Sequence, residues 1–276
     1  MRATIRSRAR GVTLIELLVV LMILSIVLTA AVRTWDVTLE RGRAVTTSRK
    51  LDQLVTAIGG DPDYIVAGQR ADFGFVGDIG RLPNSLRELV VSPPGATLWR
   101  GPYLRSTFSE SFDAFRIDGW GDTIIYGYEA YGNNHDSLFV RSYGGRGFVD
   151  KTRWQTVSLP YSYDALMTNQ IDGNIVDVRG NAPRDPAAIQ KLKVILIKPF
   201  EGNPDSSVFY TGTQAASFVF PGIAQGTMRL VAMYIDLSHV PPGETVATTM
   251  QNVPVYPGIG AHSVMMRLPL DWDHLP

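Results

Sequence analysis

A single carboxylate interrupts the most apolar stretch of the chain, and its position is the first indication of a specific chemistry. Residues 12–32 read VTLIELLVVLMILSIVLTAAV, with one charge and neither glycine nor proline. Glu16 lies about one helical turn into this run. Its helical neighbours Val12, Thr13 and Val20 are not cationic. Because a carboxylate in lipid costs up to roughly 3 kcal/mol near a helix centre, Glu16 requires a positive partner from outside its own helix.

The residue types that commonly act in catalysis do not form a recognisable catalytic motif in the sequence. The chain has no cysteine, which excludes disulfides, thiolate metal sites and a cysteine nucleophile. Its histidines are scattered and lack the spacing of a zinc motif: they are His135, His239, His262 and His274. No nucleophile elbow, Walker A loop or dinucleotide-binding fingerprint is present. The chain is therefore predicted not to be an enzyme.

The apolar run has the length of a membrane-spanning helix. As an α-helix it extends about 31 Å, close to the hydrocarbon thickness of a bilayer. The first ten residues contain four arginines and no acid, which favours a cytoplasmic N-terminus and an external body. Without those arginines the 26 basic residues become 22 against 26 acidic ones. The resulting net charge of −4 argues against nucleic-acid binding.

Residues 10–17, RGVTLIEL, resemble the leader of type IV pilins and type II secretion pseudopilins. In that family a membrane peptidase cleaves after the glycine and methylates the new N-terminus, and the glutamate pairs with a neighbouring subunit's amine. The resemblance implies cleavage between Gly11 and Val12, N-methylation of Val12 and an assembly role for Glu16. An ordinary secretory signal and a simple signal anchor remain alternatives, but neither explains Glu16.

Beyond the apolar run, the helical pattern continues to about Ile58. Leu51, Leu54, Val55 and Ile58 form one apolar stripe. Family members commonly have a helix-breaking proline where this chain has Arg33, so no interruption of the helix is expected there. Glycines and Pro62 then end the helical pattern.

Two aromatic motifs follow, W-x-G-P-Y-L at residues 99–104 and D-G-W-G at 118–121, before strands predicted at 123–128 and 137–142. This order resembles the globular domain of the major type II secretion pseudopilin, in which the tryptophans belong to the aromatic core. The structural residues that the resemblance implies are Trp99, Gly101, Pro102, Tyr103, Asp118, Trp120 and Gly121.

In that pseudopilin, several acidic residues hold a calcium ion that closes the loop after an S-x-G motif. The corresponding residues here are 142–150, SYGGRGFVD. Arg146 lies where negative ligands are needed, and Asp150 is the one acid. Because calcium takes six or more oxygen ligands, calcium binding is disfavoured, and no cofactor or metal is expected.

An all-β pattern occupies the rest of the chain. Short strand candidates separated by Gly/Pro turns predict a β-sandwich, with segments at 173–183, 191–198, 217–220, 227–237 and 264–268. Residues 173–183 (GNIVDVRGNAP) and 218–232 (FVFPGIAQGTMRLVA) resemble the carboxypeptidase regulatory-like family, a transthyretin-like sandwich. The resemblance implies an accessory or display module without catalytic residues.

The sequence predicts an α+β fold with a long N-terminal membrane-spanning helix, a small pilin-like α/β domain and an all-β sandwich. The expected boundaries are a cleaved leader at 1–11, the helix at 12–58 with its span at 12–32, the pseudopilin-like domain at 59–155 and the sandwich at 156–276. Residues 151–162 are expected to connect the last two.

The predicted function is that of a structural subunit of a type II secretion pseudopilus or related type IV filament, processed by prepilin peptidase. Its expected partners are copies of itself or related pilins, the peptidase, the inner-membrane assembly platform and the membrane, without nucleic acid. It is expected in the inner membrane with a periplasmic body, or in a periplasmic or extracellular filament. The alternative is a low-copy subunit whose sandwich is an adhesin or cargo-binding module, which an exposed aromatic patch would favour.

Overall fold

A computed structural model describes residues 13–104, 113–131, 135–212, 215–236 and 244–274. The chain divides into two units, Met1–Thr46 and Thr47–Pro276. The first unit contains most of the N-terminal helix. The second unit, called the body below, contains the end of that helix and every described β-strand.

Helix α1, Leu14–Gly59, is continuous through the predicted membrane span and beyond it. The backbone remains helical at Arg33, as expected from the absence of a proline there. The helix ends at Gly59, because Gly60 adopts the left-handed conformation (φ 79°) and its N–H donates to the Thr56 carbonyl at 2.7 Å.

The last three turns of α1 pack into the body. The predicted stripe is confirmed, since Leu51, Leu54, Val55 and Ile58 are all buried. They share a core with Phe75, Ile79, Leu86 and Leu89, among others. This segment of α1 is therefore held by ordinary hydrophobic burial.

The first half of the body surrounds this core with short elements. They are the hairpin β1 (Ile65–Val66) and β2 (Gln69–Arg70), helix α2 (Gly74–Ile79), 3-10 helices at Leu86–Leu89, Ala114–Arg116 and Lys151–Arg153, and strands β3 (Ile125–Tyr131), β4 (His135–Ser142) and β5 (Gln155–Ser158). The last three form an antiparallel sheet in the order β3-β4-β5. The segment expected to be a connector thus contributes a strand, and Leu159 after it is buried.

The second half of the body is a β-sandwich with two short helices. Its elements are α3 (Tyr163–Met167), β6 (Asn169–Val176), α4 (Pro186–Gln190), β7 (Leu192–Phe200), β8 (Asn203–Tyr210), β9 (Ser217–Ile223), β10 (Gly226–Asp236), β11 (Glu244–Val255) and β12 (Ala261–Arg267). One sheet has the order β11-β10-β7-β8 and the other β12-β6-β9, with β6 and β12 parallel. The α+β fold class is confirmed.

The two sheets enclose a second apolar core. Alternate residues of β7, namely Leu192, Val194 and Leu196, are buried, as the period-two pattern of a strand requires. Phe218 and Phe220 enter the same core from β9. Every buried residue of this core lies between Ile171 and Leu268.

Strands β8 and β11 were not predicted, and β9 is longer than predicted. β8 and β11 lie at the two edges of their sheet and contain many polar residues, so their hydrophobic signal is weak. β9 runs through Pro221 and Gly222, which the sequence marks as a turn. A proline is tolerated there because β9 is also an edge strand.

Candidate functional site

The first turn of α1 presents the acid that the sequence singled out. Glu16 lies in that turn, and its backbone N–H donates to the Thr13 hydroxyl oxygen at 3.4 Å. Thr13 thereby caps the helix. Within the described part of the chain, the Glu16 carboxylate forms no hydrogen bond or ion pair. Gly11 and Val12 lie outside the described residues, so cleavage and methylation there stay predictions.

The apolar side chains that follow Glu16 in the first unit are exposed. They include Leu17, Leu18, Leu21, Met22, Ile23, Leu24 and Ile26. The hydroxyls of Ser25 and Thr29 donate to carbonyls one turn back at 2.7 Å, which satisfies them within the helix. α1 is, among the described residues, the one helix that by length and composition could cross a membrane.

In the body, the W-x-G-P-Y-L motif forms an aromatic corner over the first core. The Trp99 ring lies edge-on to the Tyr103 ring at 5.9 Å, and its indole N–H donates to the Glu88 carbonyl. A Cβ at Gly101 would lie 2.4 Å from the Trp99 ring, so a glycine is required under the indole. The Gly101–Pro102 peptide bond is cis. The residues of this motif thus serve packing.

Tyr103 links that corner to α2 through Asp78. Its hydroxyl donates to the Asp78 carboxylate at 2.9 Å. Burial raises the pKa of Asp78, although the hydrogen bond from Tyr103 opposes the rise. Burial and the neighbouring Asp78 charge raise the pKa of the Tyr103 hydroxyl. The pair fixes α2 against the aromatic corner.

The D-G-W-G motif is organised by the buried carboxylate of Asp118. One oxygen accepts the backbone N–H groups of Trp120 and Asp122 at 2.9 Å each. The other accepts the Ser142 hydroxyl at 2.5 Å, and Ser142 in turn accepts the Gly144 N–H. Asp118 therefore joins the D-G-W-G turn to the S-x-G turn after β4.

The loop at the position of the family's calcium site is held by aromatic rings. Tyr143, Phe148 and Trp154 contact one another with ring centroids 5.1–5.8 Å apart. The Asp150 carboxylate accepts the Thr152 N–H at 3.2 Å, which occupies the one acid of this segment. This loop is closed by edge-on and tilted ring contacts and by a local cap.

A residue that sequence reasoning missed lies where the two halves of the body meet. The Gln225 side chain is fully buried, and its NH₂ donates to the carbonyls of Gly59 and Phe73 at 2.8 and 3.0 Å. Its backbone N–H donates to Leu166. The one available signal was a polar residue between strands β9 and β10, which usually indicates an exposed turn.

Arg81 forms a second junction that the sequence did not reveal. Its guanidinium donates to Glu88 at 2.7 Å and to Glu201 at 2.5 Å. Burial opposes its charge, but the hydrogen bonds that it donates to the two carboxylates outweigh burial and raise the pKa of Arg81. Glu201 is 120 residues away in sequence, so only the fold brings the three side chains together.

The described residues therefore combine an exposed apolar helix, a first-turn carboxylate that has no partner among them, and a body whose motif residues serve packing. These are features of a structural protein and not of a catalytic site. Residues 6–32 match the family described as the prokaryotic N-terminal methylation motif. The chain is also 27% identical over 146 residues to the type II secretion system core protein G of Xanthomonas campestris pv. campestris. The aligned residues cover 53% of this chain and 87% of that protein. No solved structure is significantly similar.

The chain is thus prepilin-like, with an N-terminal methylation motif and a distant relationship to pseudopilin G. Pilins and pseudopilins are structural proteins, which confirms the prediction that the chain is not an enzyme. Neither match identifies a family for the C-terminal sandwich, so its resemblance to the carboxypeptidase regulatory-like family stays a prediction.

Proposed function

We propose that the chain is a structural subunit of a type II secretion pseudopilus or a related type IV filament. The observation that carries the proposal is Glu16, a carboxylate without a partner in the described residues, at the start of an exposed apolar helix. The match of residues 6–32 to the methylation motif supports it. Prepilin peptidase cleaves between Gly11 and Val12, and Val12 is then methylated.

In the filament, the apolar parts of the N-terminal helices pack against one another. The Glu16 carboxylate pairs there with the Val12 ammonium of a neighbouring copy or a related pilin, which sets the register between subunits. Before assembly the helix anchors the chain in the inner membrane with the body in the periplasm. The assembly platform in that membrane extracts the subunit.

Processing and incorporation test this function together. The full chain is expressed with a prepilin peptidase and the assembly proteins, and sheared filaments are collected. N-terminal sequencing and intact mass are expected to identify a chain beginning at methylated Val12, both in membranes and in filaments. A mature chain beginning near residue 32, or an uncut chain in the presence of the peptidase, contradicts the proposal.

We also propose that the body consists of two domains, residues 59–155 and 156–276. The second core supports two domains because its buried residues lie between Ile171 and Leu268. The first core also buries Leu159, Leu166 and Ala224, and β5 pairs with β4, so the test includes a boundary after β5. A fragment of residues 156–276 is expected to unfold in one cooperative thermal transition. A second fragment that begins at Tyr163 removes β5, which pairs with β4, and serves as the control. If both fragments aggregate and neither shows a thermal transition, the two halves form one folding unit.

The alternative function, a low-copy subunit with an adhesin or cargo-binding sandwich, is favoured by the exposed aromatic side chain of Tyr210. Phe200 is also exposed, but it lies at the opposite end of the β7–β8 pair. Copy number separates the two functions. A structural subunit is expected at many copies per filament, whereas a binding subunit is expected at few. Quantitative mass spectrometry of purified filaments measures this ratio.

A further inference from the structure

The sandwich has apolar side chains on the face of its larger sheet that points away from the core. The strand registers place Met250, Val231, Ile195 and Val208 side by side across β11, β10, β7 and β8. Alternate residues of these strands enter the core, so these four point outward. Met250 and Val208, on the two edge strands, are 69% and 48% exposed, and Val231 and Ile195 between them are half-buried.

Neighbouring positions extend this surface, which we call the sheet face. Met233 and Tyr210 flank the apolar row on one side and Ile197 flanks it on the other. Tyr210 is 68% exposed. The outward side of an antiparallel sheet is normally polar, and contiguous exposed apolar patches mark interaction sites.

The charges on the sheet face have one sign. Lys193 lies beside Met233 and Tyr210, and Arg229 lies beside Ile197. Among the outward positions whose side chains the structure describes, none carries an acid. Two copies joined face to face by a two-fold axis would bring cations against cations, which is unfavourable. The sheet face therefore fits an apolar partner that is flanked by carboxylates.

The first half of the body carries a surface of that description, which we call the hairpin patch. It consists of Asp61, Asp63 and the exposed side chains of Tyr64, Ile65 and Val66. The turn between β1 and β2 is tight, because Ala67 and Gly68 both have positive φ (51° and 79°). The apolar residues before that turn are therefore presented at a short projecting ribbon.

The charge of the hairpin patch is opposite to that of the sheet face. Asp63 is exposed, and its backbone N–H donates to the Asp61 carboxylate at 2.9 Å. The cation of the hairpin, Arg70, is buried: it donates to the Gly59 and Asp72 carbonyls. The exposed part of the patch is therefore acidic and apolar.

We propose that the hairpin patch of one copy docks on the sheet face of a second copy. Each chain has both surfaces, so the contact is heterologous and repeats along an open assembly instead of closing a dimer. Apolar burial supplies the attraction. The orientation is set by opposite charges, with Asp61 and Asp63 of one copy facing Lys193 and Arg229 of the other. The inference rests on the proposed filament function and assigns it a second contact between bodies, beyond that of the N-terminal helices.

Disulfide trapping tests this contact, because the natural chain contains no cysteine. Two full-length chains with different tags are co-expressed with the assembly proteins, one with Ile65→Cys and the other with Val208→Cys. A link between the two tags is expected in membranes or sheared filaments. The matched control replaces Val208→Cys with Val219→Cys, which is 43% exposed on the other sheet, and it is expected to remain at background.

Charge reversal provides a second measurement that a folding defect does not reproduce. Lys193→Glu and Asp63→Lys are each expected to reduce the linked fraction, and their combination in one chain is expected to restore it. Thermal unfolding of each variant is expected to match that of the parent chain. A link that is insensitive to both reversals overturns the charge pairing on which the docking depends.

The outcomes separate this inference from the proposed function. Tag-to-tag links with filaments support both, and links in membranes without filaments support the docking while the filament function fails. Filaments without links above the Val219→Cys control overturn the docking alone. Neither filaments nor links overturn both. If Val208→Cys becomes linked to a different protein and not to the second tag, the partner of the sheet face is not a second copy. That result overturns the docking and favours the cargo-binding alternative.

Discussion

In the first unit the apolar side chains of α1 are exposed, whereas in the body the same helix buries Leu51, Leu54 and Ile58. Polar groups differ in the same way. Glu16 has no partner within the described residues, but the buried carboxylate of Asp118 accepts three hydrogen bonds. The body thus holds the apolar end of α1 and the Asp118 carboxylate by contacts within itself, whereas the described residues supply no partner for the Glu16 carboxylate. Substitutions in the two regions should produce separable defects.

The largest effect is expected from Glu16→Gln. The substitution removes a charge that is unfavourable in lipid, so expression, processing and membrane location should be normal. Incorporation into filaments should be lost, because the neighbour's ammonium then lacks its partner at a cost of about 3–5 kcal/mol per contact. Sheared filaments from cells that express only the variant measure this.

Asp36→Asn is the matched control, since Asp36 is an exposed acid on the same helix outside the apolar run. It should assemble normally. The thermal midpoint of the body should be unchanged in both variants. Normal amounts of the Glu16→Gln subunit in filaments would rule out the pairing mechanism.

The next largest effect is expected from Asp118→Ala. It leaves two backbone N–H groups and the Ser142 hydroxyl without their acceptor in a buried turn. The body should lose about 3 kcal/mol of unfolding free energy, which corresponds to a midpoint lower by roughly 6–12 °C. Thermal unfolding of the full chain in detergent measures it. Asp122→Ala, at an exposed position of the same turn, should change the midpoint little, and processing should be normal in both.

A smaller effect is expected from Gln225→Ala. It removes the side chain that hydrogen-bonds to Gly59 and Phe73 and leaves a cavity where the two halves of the body meet. The expected loss is about 2 kcal/mol of unfolding free energy. Gln225→Met keeps most of the volume and should lose about half as much. Equal losses in the two variants would assign the effect to the hydrogen bonds and not to packing.

The smallest effect concerns the surface pair His262 and Asp172. The hydrogen bond between the His262 ring and the Asp172 carboxylate, which accepts it, raises the pKa of His262 and lowers the pKa of Asp172. Stability from His262 is therefore complete below its unfolded pKa and is lost as the pH rises through its folded pKa. The contribution of Asp172 is lost as the pH falls through its lowered pKa.

The midpoint difference between the parent chain and His262→Gln should accordingly be larger near pH 5.5 than near pH 8.5. Both side chains are partly exposed, so the difference should be small. A scan of the thermal midpoint against pH measures it. A difference that grows with rising pH would mean that the imidazole is not charged in this pair.

The local sequence pattern was sufficient to predict much of the secondary structure. The 12–32 run, the stripe at Leu51–Ile58 and strands β7, β10 and β12 were all predictable, because hydrophobic period depends on neighbouring residues. The importance of Glu16 also follows from the sequence, since one charge in an apolar run contrasts with its surroundings. The Thr13-x-x-Glu16 spacing is also a helix-capping signal, and Thr13 does cap α1.

Other features depend on residues that are distant in the sequence. Gln225 and the Arg81–Glu201 pair have no local signal, because their partners are 120 or more residues away. β8 and β11 become strands through pairing with β7 and β10 and not through their own hydrophobicity. The sequence by itself thus determined the apolar N-terminal helix, the fold class and the single acid within that helix. Only the tertiary structure decided which polar groups are buried together and which sheet face remains apolar and exposed, because both depend on contacts that chain folding creates.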